Sequence, residues 1–389
     1  MNTVTSKFTA YNWTGSLSSL ADRIYTLPNE SSRFTSMEGL RAYAAFLVFL
    51  VHYFDVFARN ILGIDPNTVH LGEAPDIVTG VVIYLFASHY GVDIFFFLSG
   101  FLICRIIARG GFSYSSYAKG RMLRVYPAFL VSFLVWLYIR IVLQNYPYDV
   151  SQFFGNLFFL NAVPATGVQP YNAVTWSLFY EFVFYLTFPL ILFLKTPTAR
   201  ISPWQVLGFG VLFMIVVLSL EPSFIRFMMF FSGAFMASFQ RKQLTALAGR
   251  IPDAIVLLAY FASTLWFAQQ LSYTYFIPVF LVTTFLLVLK VLYGDGFLNT
   301  IFQAKWLRYM GNISYSFYLM HGLAIELIMV TLSPVFSGMG QGIYFATTFC
   351  AALLLGIVFS TLLFLLTEKP YFTRKRNRER IRKEVQVAT

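Results

Sequence analysis

The chain has 389 residues, of which 58% are hydrophobic and only 12% are charged. Soluble globular proteins carry about 25% charged residues, and a mean hydropathy of +0.67 leaves too little polar surface for a water-soluble fold. Composition therefore excludes a soluble globular protein and predicts an all-α, polytopic integral membrane bundle. The formal net charge of +11 then indicates basic cytoplasmic loops rather than a nucleic-acid partner.

The predicted elements begin with residues 1–35, which are polar and lack the apolar core of a signal peptide. We interpret them as a cytoplasmic N-terminal extension. About ten apolar segments of membrane-spanning length follow, and the short one at 224–240 leaves the helix count open there. We place them at 40–58, 79–104, 124–144, 173–194, 203–220, 224–240, 252–270, 274–292, 311–332 and 343–366. Residues 371–389 form a basic cytoplasmic tail.

The charges of the connecting loops predict the orientation of these segments. Basic residues collect after the second, fourth, sixth and eighth segments and in the tail, whereas the intervening loops are acidic or nearly neutral. The longest of these acidic or nearly neutral loops is 145–172, whose one charged residue is Asp149. Because basic loops stay on the cytoplasmic side, we expect both termini to be cytoplasmic and 145–172 to be external.

Ionisable residues inside four of the segments are the first functional signal. The topology places all four at a similar depth near the middle of the bilayer: His52, Asp93, Glu181 and His321. Ionisable groups at that depth are costly, and they mark functional sites. Four of them at one level predict a polar cavity inside the bundle.

Each of these four residues also has a structural interpretation. The role of His52 and of His321 could be limited to hydrogen bonding between helices, without any part in the chemistry. Glu181 could orient one of the histidines without taking part in the chemistry. For Asp93 we favour a structural role, either an ion pair with a buried cation such as Arg124 or a helix cap.

Three arginines near the predicted cytoplasmic surface form the second signal. Arg121 and Arg124 are three residues apart and so share a helix face. Arg41 is on the same face as His52, about 16 Å away along the first span. Loop arginines usually only set topology, but guanidinium groups also bind phosphate oxygens in bidentate fashion. The pattern predicts an anion site above the polar cavity.

These two signals together favour acyl transfer. A histidine with a near-neutral pKa can take a proton from a hydroxyl group that attacks an acyl carbonyl. The arginines would hold a phosphorylated acyl carrier so that its thioester points towards His52. The chain has no G-x-S-x-G, H-E-x-x-H or Cys/His metal motif. Cys104 and Cys350 lie in apolar runs, so we predict that both are buried small hydrophobic residues.

Six motifs, in this order, resemble those of the acyltransferase-3 membrane family. They are R-x10-H from Arg41 to His52, G-V-D-I-F-F-F-L-S-G-F at 91–101, R-x-x-R-V-Y-P at 121–127, W-S-L-F-Y-E-F-V-F-Y at 176–185, G-N-I-S-Y-S-F-Y-L-M-H at 311–321 and T-E-K-P at 367–370. Glu38 stands where the family more often has Asp. The motifs define a predicted transmembrane acyltransferase-3-like domain at 36–370.

The resemblance implies about ten helices in the inner (cytoplasmic) membrane, in a multi-pass protein. It implies transfer of an acyl group, commonly acetyl, from cytoplasmic acyl-CoA to a hydroxyl of a lipid-linked or polymeric saccharide. Acyl-CoA would be a substrate, and we expect no metal and no tightly bound cofactor. Some members carry an SGNH hydrolase-like domain after the helices, which we do not expect here.

The resemblance also implies roles for individual residues. His52 is the expected catalytic base, with Glu181 and His321 as further catalytic positions. The expected donor-binding residues are Arg41, Arg121 and Arg124, and the supporting residues are Asp93, Trp176, Ser177 and Tyr185. The rival hypothesis is a proton-coupled transporter that uses the intramembrane His, Glu and Asp residues as a relay. The lack of two related halves in the sequence speaks against it.

Overall fold

The computed structural model describes residues 13–26, 34–108, 111–194, 201–270, 273–336 and 338–374. In these ranges the chain forms α-helices and short 3-10 and π-helical turns, with no β-strand. The α-helices are α1 (Trp13–Tyr25), α2 (Thr35–Phe57), α3 (Ile77–Phe86), α4 (Gly91–Ile107), α5 (Tyr114–Tyr138), α6 (Val150–Leu157), α7 (Trp176–Thr187), α8 (Pro203–Leu220), α9 (Phe227–Ser238), α10 (Arg241–Arg250), α11 (Asp253–Gln270), α12 (Tyr273–Tyr293), α13 (Phe297–Phe302), α14 (Lys305–Asn312), α15 (Ser314–Thr331), α16 (Ser333–Phe336) and α17 (Gln341–Leu363). The predicted all-α class is confirmed.

Seven helical segments in the described ranges are long and apolar enough to cross a membrane. They are Thr35–Leu62, Ile77–Ile107, Tyr114–Leu143, Ala173–Leu192, Pro203–Leu220, Tyr275–Tyr293 and Gly342–Arg374. Two bent pairs raise this number to nine, and α11 is a shorter apolar helix. The ten predicted segments overlap these helices, so the chain is a multi-pass membrane bundle.

The segment at 224–240, where the sequence left the helix count open, belongs to a bent pair. Pro222–Ser238 turns by 107° into α10. α9 alone has 12 residues, about 18 Å of helix, which cannot cross a hydrocarbon core of about 30 Å. The segment at 311–332 is bent as well, because α14 and α15 meet at 77°. Length and hydropathy alone did not predict either bend.

Helix α2 lies in the centre of the bundle and carries both Arg41 and His52. Most of its residues are buried, from Ser36 to Phe57. It packs against α3, α4, α12, α13, α14 and α15. Neighbours on most sides fix both the rotation and the depth of this helix, so the positions of its two ionisable side chains are well defined.

Helices α4 and α9 pack very closely through two glycines. A Cβ atom on Gly100 would fall on the carbonyl oxygen of Phe230, and one on Gly233 would fall on that of Phe97. Small residues allow such close approach between helices in a membrane. This contact holds the middle of α4, whose first turn carries Asp93, against the middle of α9.

The N-terminal extension contains a helix, α1, that packs against α14. The Asn312 side chain donates to the carbonyl oxygen of Tyr25 over 3.0 Å, and the hydroxyls of Tyr25 and Thr361 lie 3.0 Å apart. Lys305 forms an ion pair with Asp22 over 2.8 Å. These contacts attach α1 to the end of the bundle that carries Arg41.

The cysteine prediction is right for one residue and wrong for the other. Cys104 is buried in α4, whereas Cys350 is exposed on α17. An apolar run does not distinguish a helix face that packs in the core from one that faces outward, because both are hydrophobic in a membrane protein.

Candidate functional site

A narrow cavity lies among α2, α4, α5, α7 and α15. Its volume is about 60 Å³, room for a few water molecules at about 10–15 Å³ each. The ionisable and hydroxyl side chains that line it are Arg41, Arg121, Arg124, Glu181, Ser99, Ser177, Tyr185, Tyr315 and Tyr318. The remaining lining is apolar, mainly from α4. The cavity therefore joins the predicted donor residues to the middle of the bundle.

The three predicted donor arginines do converge here, and we call them the arginine cluster (Arg41, Arg121 and Arg124). The Arg121 guanidinium lies 5.7 Å from the Tyr117 ring centre and 5.5 Å from that of Tyr185. Arg124 lies 5.9 Å from the Phe372 ring centre. Neither Arg121 nor Arg124 donates a hydrogen bond to any described residue. Aromatic faces thus hold these cations while their N–H groups remain available to a ligand.

Arg41 is held differently from the other two arginines. Its Nε donates to the Ser314 hydroxyl over 3.1 Å, and its guanidinium lies 5.9 Å from the ring centre of Phe95. The single hydrogen bond fixes the guanidinium while other N–H groups remain for the cavity. Ser314 lies seven residues before His321 on the same helix, so α15 contacts both functional regions.

Glu181 lies beside the arginine cluster and not beside a histidine. The Ser99 hydroxyl donates to its Oε1 over 3.2 Å, and the Tyr185 hydroxyl donates to its Oε2 over 2.6 Å. The structure therefore does not support an orienting role of Glu181 towards either histidine. The sequence analysis named Tyr185 as a supporting residue but missed Ser99, although Ser99 lies within the L-S-G part of a quoted motif.

A second buried carboxyl group near the arginines was also missed. Glu368 accepts a hydrogen bond of 2.6 Å from Ser316, and only 4% of its surface is exposed. It lies within electrostatic range of Arg41 and Arg124. The T-E-K-P motif contained this residue, but its position near the end of the last span indicated only a helix end.

His52 and His321 form a pair in the middle of the bundle. Their ring centres are 5.2 Å apart. His321 is fully buried, whereas His52 is half-buried. The Nδ1 of His321 lies 2.9 Å from the carbonyl oxygen of Phe317, which can only accept, so Nδ1 carries the proton. We call these two residues the histidine pair.

Neither member of the histidine pair lines the cavity; Tyr318 lies between. The Tyr318 ring lines the cavity, and its centre is 6.2 Å from that of His321. Its hydroxyl lies 2.8 Å from both the Val174 carbonyl oxygen and the Ser177 hydroxyl. The predicted supporting residue Ser177 thus holds the Tyr318 ring, which lines the cavity and lies against His321.

Asp93 forms an ion pair with a buried cation, as its structural interpretation predicted, but the cation is Arg226 and not Arg124. Arg226 Nη1 and Asp93 Oδ2 are 2.8 Å apart, and both side chains are buried. The Trp176 ring centre lies 5.1 Å from the Arg226 guanidinium. Asp93 lies in the first turn of α4, and Arg226 lies at the end of the 3-10 turn before α9. Sequence reasoning missed Arg226, which ends the P-S-F-I-R stretch.

His89 is a further residue that the sequence analysis did not single out. It is half-buried in the 3-10 turn before α4, and its ring centre lies 4.8 Å from that of Phe86 with the two rings nearly perpendicular. It lies within electrostatic range of His52 and Arg226. The four residues predicted to share one cavity are therefore divided among three places, and only Glu181 lines the cavity itself.

The sequence profile of a protein family, described as an acyltransferase domain, matches residues 34–365 of this chain. The chain belongs to the acyltransferase-3 family. All the predicted site residues fall within the matched region, and Glu368 lies just beyond it. The resemblance given by the six motifs is confirmed, and the family assignment agrees with the multi-pass membrane fold.

Two curated proteins are similar to this acyltransferase-3 family chain. It is 30% identical over 170 residues to acyltransferase MdmB of Streptomyces mycarofaciens, a match that spans 42% of this chain and 40% of that protein. It is 26% identical over 308 residues to the exopolysaccharide production protein ExoZ of Rhizobium meliloti (strain 1021), which spans 74% of this chain and 90% of that protein. No solved structure shows a significant match.

Proposed function

We propose that this protein is a membrane acyltransferase that moves an acyl group, in the simplest case acetyl, from acyl-CoA to a hydroxyl of a saccharide. The observation that carries the proposal is the arginine cluster in a narrow cavity that is also lined by Tyr318, whose ring lies against His321 of the histidine pair. Family membership and the relative named an acyltransferase support the reaction class. The relative named for exopolysaccharide production supports a saccharide acceptor.

The arginine cluster suits the phosphates of coenzyme A. Arg121 and Arg124 present their N–H groups while aromatic rings hold their faces, and guanidinium forks match phosphate oxygens. Glu181 and Glu368 partly offset the positive charge. We place the protein in the inner membrane. The loop charges would then put the arginine cluster on the cytoplasmic side. Acyl-CoA would then enter from the cytoplasm.

The pantetheine arm suits the cavity because both are narrow. Arg41 and His52 lie about 16 Å apart along α2, a separation that an extended pantetheine arm can cross. In this state the cavity of about 60 Å³ is too small for the whole arm. Side chains at its inner end, Tyr318 first, would have to move before the thioester meets His52.

The proposed reaction is a direct transfer with His52 as general base. A ring nitrogen of His52 takes the proton from the acceptor hydroxyl as its oxygen attacks the thioester carbonyl carbon. The C–S bond breaks, and the coenzyme A thiolate leaves with the proton returned by His52. One thioester and one alcohol thus give one ester and one thiol, without a covalent acyl-enzyme.

The test uses the full chain in lipid nanodiscs with radiolabelled acetyl-CoA. We expect saturable binding of acetyl-CoA and transfer of label to saccharide extracts of the producing cell, or slow hydrolysis when no acceptor is present. Folded protein that neither binds acetyl-CoA nor releases coenzyme A would overturn the proposal. Proton-coupled substrate flux through the same preparation would then support the transporter hypothesis.

A further inference from the structure

His321 has a buried nitrogen atom without a partner. Its Nδ1–H is used by the Phe317 carbonyl oxygen, so its Nε2 carries a lone pair. That Nε2 is fully buried and has no hydrogen-bond partner among the described residues. A buried acceptor left without a hydrogen bond is destabilising, so a native structure is expected to use it.

His52 is the donor that the geometry offers. The ring centres lie 5.2 Å apart, which leaves room for an N–H···N hydrogen bond of about 3 Å between nitrogens on facing ring edges. His52 makes no hydrogen bond to any described residue. Its ring is also half-buried, so its second nitrogen can face an incoming substrate while the first faces His321.

The carboxyl groups that orient a catalytic histidine in other enzymes have other contacts here. Asp93 is paired with Arg226, and Glu181 accepts from Ser99 and Tyr185. Asp55, one turn beyond His52 on α2, is paired with Arg59 over 2.9 Å. The His321 Nε2 is a buried acceptor without a partner among the described residues, and its ring contacts that of His52.

We infer that His321 is a positioning residue whose Nε2 accepts a hydrogen bond from one ring N–H of His52. This fixes the tautomer of His52, so that its other nitrogen is unprotonated and directed at the acceptor hydroxyl. The backbone carbonyl of Phe317 fixes the tautomer of His321 in turn. The inference rests on the proposed role of His52 as the base, and it removes His321 from direct contact with substrate.

Two substitutions separate the two hydrogen bonds of His321. In His321→Gln the side-chain carbonyl can occupy the place of Nε2 and accept from His52. In His321→Asn the amide can occupy the place of Nδ1 and donate to Phe317, but nothing extends to His52. The two variants are similar in polarity, so a purely structural role of His321 predicts similar losses.

We expect His321→Asn to lower kcat about 100-fold, the lower end of what a general base contributes, with the KM for acetyl-CoA unchanged. His321→Gln should stay within tenfold of wild type. Equal activity of the two variants at equal thermal stability would overturn the inference, as would normal activity of His321→Asn. Loss of activity in His52→Ala but not in His321→Asn would overturn the positioning role while leaving the proposed function intact.

A spectroscopic test does not depend on the reaction or on the folding of the His321 variants. The chain has only 4 histidines, so 15N-histidine labelling of wild type gives a simple spectrum. We expect the His321 signals to show protonated Nδ1 and unprotonated Nε2, with the Nε2 signal shifted by a hydrogen bond that disappears in His52→Ala. A protonated Nε2, or a signal unchanged in His52→Ala, would overturn the inference.

Discussion

The arginine cluster and the histidine pair are both polar regions inside an apolar bundle, but different contacts hold them. Arg121 and Arg124 contact aromatic faces and make no hydrogen bond to described residues. His321 is fully buried and anchored to a backbone carbonyl. The first arrangement leaves N–H groups for a charged ligand that binds and leaves. The second holds a ring in one orientation.

The ion pair between Asp93 and Arg226 is a third arrangement. Both side chains are buried and the two charges are in direct contact. Such a pair offers little to a substrate, because its charges already neutralise each other. The ion pair holds the first turn of α4 against the turn before α9. Asp93 itself lies four residues after His89. We therefore propose that ligand binding, chemistry and structural support belong to three separate sets of residues.

The largest expected effect is on the histidine pair. His52→Ala should lower transfer by about 10²–10⁴-fold, the usual contribution of a general base, with acetyl-CoA binding unchanged. Turnover and equilibrium binding of the same preparation measure the two quantities. His70→Ala, in the loop before α3, is the matched control and should stay near wild type. Weaker acetyl-CoA binding by His52→Ala would show that the two regions are not separate.

The next effect concerns the structural ion pair. Arg226→Ala leaves Asp93 charged, buried and unpaired, and should lower the free energy of unfolding by about 3–5 kcal/mol. Unfolding in mixed micelles measures this change. The double variant Arg226→Met with Asp93→Leu should recover most of the loss, since two apolar side chains replace both charges. A double variant as unstable as the single one would contradict a structural role.

A smaller effect is expected at the arginine cluster. Arg124→Ala should raise the KM for acetyl-CoA about 10–100-fold with little change in kcat, because it removes a charge-assisted contact of about 1.5–3 kcal/mol. Arg105→Ala is the control, since Arg105 also contacts aromatic rings, those of Phe34 and Phe101, but lies outside the cavity. Equal losses in both variants would show a general charge effect and not a donor site.

The smallest effect concerns the attachment of α1. Hydrogen bonds from Lys305 and Tyr309 hold the pKa of Asp22 below its ordinary value. A carboxyl group with a lowered pKa stabilises the fold above its ordinary pKa, and this stabilisation is lost as the pH falls through the lowered value. Cleavage within α1 by pepsin should therefore increase only at strongly acidic pH. In Asp22→Asn, cleavage after Arg23 by trypsin at neutral pH should be faster than in wild type.

The sequence by itself determined the membrane class and the family, and it predicted a common depth for the ionisable residues. Charge content and apolar segment length are set by the bilayer, so they can be counted along the chain. The spacing of Arg41 and His52 on one helix face follows from the helical period. The sequence also predicted that Arg41 meets Arg121 and Arg124, because all three lie near the predicted cytoplasmic surface. Arg121 and Arg124 in addition share one helix face.

Only the tertiary structure decided which of these residues meet. Depth is a property of one helix, but contact also depends on how neighbouring helices are rotated and packed. Asp93 therefore pairs with Arg226 and not with Arg124, and Glu181 contacts Ser99 and not a histidine. The close approach of α4 and α9 at Gly100 joins segments that are distant in sequence. The 107° bend between α9 and α10 occurs where α10 packs against α12, a later helix. No pattern within one segment predicts them.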